Sequence, residues 1–164
     1  MTDHAQACDD AVTIELPFPP STNHYYRHVE LPLGKGGACP ACGKRRSRVA
    51  TLISSEGREW LKAVSNELFL EGVRPISGPL SVEIILHPPN RRKIDVDNRQ
   101  KPLLDALKRR PKDETQKAWL FADDDSQVEK LVTEKGPIVP GGGCIVTVRR
   151  LAVSQQEFGF MEED

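Results

Sequence analysis

Residues 93–110, KIDVDNRQKPLLDALKRR, hold three acids, an amide and several basic groups at spacings that could do chemistry. If 93–97 runs extended, Asp95 and Asp97 lie two residues apart and project from one face. Two carboxylates so placed repel unless a positive charge sits between them. From Asp97 or Asn98 onward Leu103, Leu104 and Leu107 recur at helical spacing, and Asp or Asn is a favoured N-cap. On that helix Asn98, Lys101 and Asp105 fall at i, i+3 and i+7, on the face nearest the two aspartates. An acid pair, a helix N-terminus and a lysine together suit a divalent cation, Mg2+ or Mn2+, and a phosphate. Taken alone, the motif also fits an N-cap and a solvated turn beside an ordinary i,i+4 pair of Lys101 and Asp105. An EF-hand does not fit, because Gln100 and Ala106 stand where its loop needs Gly and Glu. Pro102 lacks a donor and is tolerable only near the first helical turn.

The rest of the chain must position those groups. At 164 residues it predicts one compact domain. With 38% hydrophobic and 5% aromatic residues the core is modest, so help from a partner subunit is expected. No apolar run approaches a membrane span, and the start MTDHAQACDD is acidic rather than signal-like, which makes a cytoplasmic protein the expectation. The net charge of -1 hides an asymmetry: Asp3, Asp9 and Asp10 at one end and Glu157, Glu162, Glu163 and Asp164 at the other leave a middle of +6. Basic clusters lie at Lys44, Arg45, Arg46 and Arg48, at Arg91, Arg92 and Lys93, and at Lys108, Arg109, Arg110 and Lys112. The last two flank the acidic motif, as a polyanion-binding surface would, although charge runs are also ordinary solvated faces.

In chain order, 1–10 reads as a disordered acidic tail and 12–16 as a half-buried strand ended by Pro17, Pro19 and Pro20. STNHYYRH follows as a loop, either packed by its tyrosines or contacting phosphates through Asn23, Tyr25 and Arg27. Residues 33–48 form a Gly-rich basic loop whose Cys39 and Cys42 make the C-x2-C turn of a zinc knuckle. Two ligands are missing there: His24, His28 or the same pair on a second subunit would complete the shell, and the alternative is a reduced pair in a cytosolic loop. Ser54 or Ser55 caps a helix to about 70, with Trp60, Leu61, Val64 and Leu68 on its apolar stripe. Residues 81–87 form a strand that leads into the acidic motif. Asp123, Asp124 and Asp125 make a second acid cluster after WLF, either a solvated turn or part of the site. Residues 128–134 and 144–151 alternate as two strands, predicted to pair as a hairpin across GPIVPGGG.

These segments together resemble the RusA family of Holliday junction resolvases. The carrying stretches are PFPPSTNHYYRH at 17–28, SSEGREWLKAV at 54–64, KIDVDNRQKPLLDAL at 93–107 and DDSQV at 124–128, in that order. The resemblance implies an α/β (α+β) fold: a single domain with a mixed four- to five-stranded sheet and two main helices. It also implies a homodimeric endonuclease that resolves branched, four-way DNA junctions with Mg2+ or Mn2+. Asp95, Asp97 and Asp125 match the implied metal ligands, Lys101 the catalytic lysine, and Asn98 and Asp124 groups beside them. Asn23, Tyr25, Arg27, Arg45, Arg46, Arg91, Arg92 and Lys93 are then the expected DNA contacts. On this reading 11–153 is the nuclease domain, and 1–10 and 154–164 are acidic tails. Two departures stand out: the added acid Asp123, and the inserted loop at 33–48 with its candidate zinc ligands Cys39 and Cys42. Other readings of the same residues are a non-cleaving junction-binding protein and a zinc-dependent interaction module.

Overall fold

The structure is a computed structural model that describes residues 11–32, 39, 41–43, 47–110 and 112–151. The strand of greatest apolar content takes the centre. In β4 (Leu80–His87), Leu80, Val82, Ile84 and Leu86 alternate onto one face and are fully buried. β6 (Gly143–Arg150) pairs antiparallel with β4 and sets Cys144, Val146 and Val148 opposite Leu86, Ile84 and Val82. β1 (Ala11–Leu16) pairs antiparallel with β6, placing Ile14 and Leu16 in the same two rows. β5 (Val128–Lys135), which is largely exposed, pairs parallel with β4 at the other edge. The order is therefore β1, β6, β4, β5 in one mixed four-stranded sheet.

Two helices cover the apolar rows. α2 (Ser55–Leu70) begins at Ser54, whose hydroxyl accepts from the Gly57 N–H at 2.9 Å, and buries Trp60, Leu61, Val64 and Leu68. α3 (Asp97–Leu107) buries Leu103, Ala106 and Leu107 in the same core. No helix among the described residues is long and apolar enough to cross a membrane. The expected mixed sheet with two main helices is what forms.

Three local expectations are corrected. β5 and β6 do not pair as a hairpin, because β4 lies between them. A strand apolar along one whole face gains most from two neighbours, so it takes the centre and the polar β5 is left at the edge. Their connection passes over the end of β4, with the Gly136 N–H donating to the Leu86 carbonyl at 2.8 Å and the Val139 N–H to that of Pro88 at 3.0 Å. Nor is STNHYYRH a loop. Ser21 starts the single-turn helix α1 (Thr22–Tyr25), and β2 (Tyr26–Pro32) follows directly. No proline lies between Pro20 and Pro32, so the chain is free to take both shapes. β2 pairs with β3 (Ser47–Ile53) as a separate two-stranded sheet, so regular structure resumes at Ser47, within the expected loop of 33–48.

The third correction concerns α3. Its N-cap is Val96, which makes no side-chain cap, so Asp97 occupies the first turn instead. Pro102 is the sixth residue of the helix, beyond the first turn, and leaves the Asn98 carbonyl without its usual i+4 donor. The Thr22 hydroxyl donates to that carbonyl at 3.0 Å. α1 thus repairs the defect that Pro102 makes in α3. We expect Thr22→Val to cost about 1 kcal/mol in urea unfolding. In a Pro102→Ala background, where the restored N–H serves the carbonyl, the cost should shrink towards zero. Equal costs in both backgrounds would show that the hydroxyl does not serve this role.

Candidate active site

The site is built along one stripe of α3. Asp97, Lys101, Asp105 and Lys108 follow at i, i+4, i+8 and i+11, so acid and base alternate along one side of the helix and just past its end. The second acid segment docks on the middle of this stripe. Lys101 Nζ donates to Asp105 Oδ1 and to Asp125 Oδ2, both at 2.9 Å. Lys108 Nζ lies 3.0 Å from Asp105 Oδ1 and 3.1 Å from Asp125 Oδ1. Two lysines and two aspartates thereby close a ring of alternating charge. From a third segment, the Tyr26 hydroxyl donates to Asp105 Oδ2 at 2.5 Å.

Each member is held from behind. Asp125 opens the 3-10 turn Asp125–Gln127, where the Asp124 carboxylate accepts from the Ser126 N–H at 2.8 Å. Gln127 is buried and donates to the Ile76 and Gly78 carbonyls at 3.1 and 2.9 Å. Its own side-chain oxygen accepts from the Asp123 N–H at 2.8 Å. Of the three consecutive acids, Asp125 thus faces the lysines, while Asp124 caps the turn. At the N-terminal end of α3, Arg99 donates to the Pro19 carbonyl and lies 4.9 Å over the Phe18 ring, tying the proline segment to the helix. Gln100 donates to Thr133 Oγ1 of β5 at 3.0 Å.

The ring sets the protonation states. Burial pushes the Asp105 carboxyl up, but hydrogen bonds from Tyr26, Lys101 and Lys108 outweigh it and hold the group below its ordinary range. The hydrogen bond from Lys101, then that from Lys108, brings Asp125 down to about 2. Burial works against the charge on Lys101 and Lys108, yet their carboxylate partners raise both ammonium groups. Burial first, and then the bond to Asp105, pushes Tyr26 up to about 12. At neutral pH the ring therefore holds two fixed cations and two fixed anions.

Asp95 and Asp97 stand apart from it. Both are exposed, and neither has an ion-pair partner among the described residues; the Asn98 amide donates to Asp95 Oδ2 at 3.3 Å. Among the described residues no three His, Cys, Asp or Glu side chains are gathered as a metal-holding group. The expected cluster of Asp95, Asp97 and Asp125 is thus not drawn together: Asp125 meets the middle and end of the stripe, and Lys101, about 6 Å along the helix from Asp97, stands between. The donor chemistry nonetheless fits a hard divalent cation, since all three are carboxylates and two of them are uncompensated.

The expected DNA contacts divide. Arg91, Arg92 and Lys93 are exposed just before the acid pair, on a turn where the Arg92 N–H donates to Asn90 Oδ1 at 3.0 Å. Asn23 and Arg27 are also exposed. Tyr25 is corrected: it is 0% exposed, packs edge-on against Tyr26 and Trp60, and belongs to the core. Arg45 and Arg46 lie outside the described residues. Tyr26 and Lys108 are the two members that sequence reasoning missed. Lys108 was legible as the i+3 neighbour of Asp105 on the same stripe, whereas Tyr26 is brought in by the tertiary fold alone.

With this geometry in place, comparison with known proteins is decisive. A family model described as Endodeoxyribonuclease RusA matches residues 17–149. The chain belongs to the RusA family. It is 31% identical over 143 residues to the crossover junction endodeoxyribonuclease RusA of Shigella sonnei (strain Ss046), covering 85% of this chain and 94% of that one. The protein of the same name from Escherichia coli (strain K12) is 30% identical over 143 residues with the same coverage. That of Enterobacteria phage 82 is 32% identical over 141 residues, covering 84% and 93%. The RusA match includes every member of the charged ring and both exposed aspartates.

Because Asp105 and Asp125 have folded pKa values below their unfolded ones, the stability they add is complete above about pH 4. It is lost as the pH falls through the folded value, about 2 for Asp125. We expect the urea midpoint to fall between about pH 4 and 2, less steeply in Asp125→Asn than in wild type. Identical acid slopes would remove Asp125 from the ionised network.

Proposed function

We propose that this protein is a crossover junction endonuclease that resolves four-way DNA junctions by metal-dependent phosphodiester hydrolysis. The observation that carries the reading is the docking of Asp125 onto Lys101, which brings the two acid segments of a RusA-family chain to one helix. A Mg2+ or Mn2+ held by Asp95, Asp97 and Asp125 would supply Lewis acidity and a water of lowered pKa.

The chain's own residues account for the rest. Phosphodiester hydrolysis develops negative charge on the phosphate oxygens, and a fixed cation aimed at that charge stabilises the transition state. Lys101 is half exposed and kept charged by two carboxylates, so it can turn towards a phosphate without losing its proton. Lys108, more buried, keeps Asp105 and Asp125 compensated when Lys101 does so. Asp105 and Tyr26 act as positioning residues, because they fix where the two ammonium groups sit. Asn98 steadies Asp95, and Asp124 steadies the turn that carries Asp125.

Arg91, Arg92 and Lys93 directly precede the acids and would grip phosphates near the scissile bond, with Asn23 and Arg27 contributing from α1 and β2 and Arg45 and Arg46 from the segment that joins β2 to β3. Selectivity for the branch point then rests on shape, and a two-fold dimer supplies paired sites for paired nicks. Such an enzyme works in the cytoplasm, with 11–153 as the nuclease domain and acidic segments at 1–10 and 154–164. Zinc at Cys39 and Cys42 is a separate matter, since thiolates select a softer ion than the aspartates do.

The test is cleavage of a synthetic four-way junction beside linear duplex of the same sequence, with and without Mg2+. We expect paired, Mg2+-dependent nicks in the junction alone. Asp97→Asn and Asp95→Asn should still bind the junction but cut it at least about a hundredfold more slowly. Variants that cut at the wild-type rate would overturn the metal assignment, and equal cutting of linear duplex would overturn junction selectivity.

A further inference from the structure

The C-x2-C turn takes no part in the chemistry above. β2 ends at Pro32 and β3 begins at Ser47, and Cys39 and Cys42 lie in the segment that joins them. The Cys39 carbonyl accepts from the N–H groups of Cys42 at 3.3 Å and Gly43 at 2.8 Å. Gly43 has φ +66°, a left-handed conformation that closes the turn and that glycine adopts without strain.

Cys39 is partly exposed on this turn. Cys42, three residues on, is exposed. Two sulfurs on one short turn, with a glycine directly after the second, make half of a tetrahedral zinc shell.

The other half is not found among the described residues of the same chain. No third His, Cys, Asp or Glu side chain there completes a metal-holding group. His24 faces Glu56 at 3.9 Å. His28 Nδ1 is 3.0 Å from Thr51 Oγ1, four residues back from the end of β2. Cys144 is buried in β6. We infer that Cys39 and Cys42 bind Zn2+ together with the same pair from a second copy of the chain, one ion joining two hairpin tips through four sulfurs.

The test uses the full-length, tag-free chain, reduced and free of added Mg2+, with zinc quantified per chain and Co2+ titrated as a spectroscopic probe. One zinc per two chains, a tetrahedral thiolate cobalt spectrum saturating at half an equivalent, and a two-chain species carrying one zinc in native mass spectrometry are expected. Cys42→Ser should abolish all three with circular dichroism unchanged, and Cys8→Ser should leave them intact. Reduced wild type without zinc would overturn the proposal. So would one zinc per chain, or loss of zinc in Cys8→Ser, which would place a further ligand within the chain. Neither result decides junction cleavage, which is read separately on the Mg2+-supplemented substrate.

Discussion

The Asp105 carboxylate is the interaction on which the site depends. It lies at the end of α3 nearest the core, only 9% exposed, where an uncompensated charge would be costly. Three donors from separate positions meet it: Tyr26 from β2, Lys101 one turn earlier on the helix, and Lys108 just past the helix end. Those lysines in turn take hold of Asp125. One buried anion thereby fixes the relative placement of three segments far apart in sequence. Removing any one donor leaves the others facing an imperfectly matched charge, so the network favours a single arrangement over nearby alternatives. Surface pairs contribute little to stability, and the outer Lys101 and Asp125 contact should be read as positioning rather than as strength.

The sheet explains why this anion meets its partners where it does. β4 runs into the acidic motif, and α3 then packs back over the buried rows that β4 shares with β6 and β1. β5 is parallel to β4, so the chain must return to the start of β4 before β5 begins, and the turn carrying Asp125 lies on that return. Gln127 fastens it there by bonding the carbonyls of Ile76 and Gly78, just before β4 starts. The parallel pairing of β5 with β4 is therefore a condition for the site as well as for the sheet.

Much of this was legible in the sequence because it is local. The i, i+3, i+4 pattern of α3 and α2, the alternation of β4, and the side-by-side placement of Lys101 and Asp105 all follow from helical and strand periods. What was not legible depends on competition between segments. Alternation in 128–134 and 144–151 identified strands but could not say that β4 would take the place between them. Tyr25 and Tyr26 are chemically identical neighbours, yet one turn of α1 sends the first into the core and the second to Asp105. The N-cap at Val96 likewise goes against capping preference, since its side chain offers no acceptor to the free N–H groups of the first turn.

The hairpin that carries Tyr26 also carries the cysteine turn, at its opposite end. Tyr26 pairs with Ile53 beside the site, and Pro32 pairs with Ser47 at the far end, so the strand between them spans about 20 Å. A paired, two-stranded arm thus connects the segment that holds the cysteines to the residue that anchors Asp105. A zinc ion shared between two tips would fix the separation and mutual orientation of two arms, and through them of two active sites. Paired nicking of a symmetric junction requires just such a fixed relation between sites. On the proposed reading, the hard-donor chemistry of the aspartates and the soft-donor chemistry of the cysteines would divide the work, one cutting the phosphodiester and the other setting the geometry in which two cuts are made.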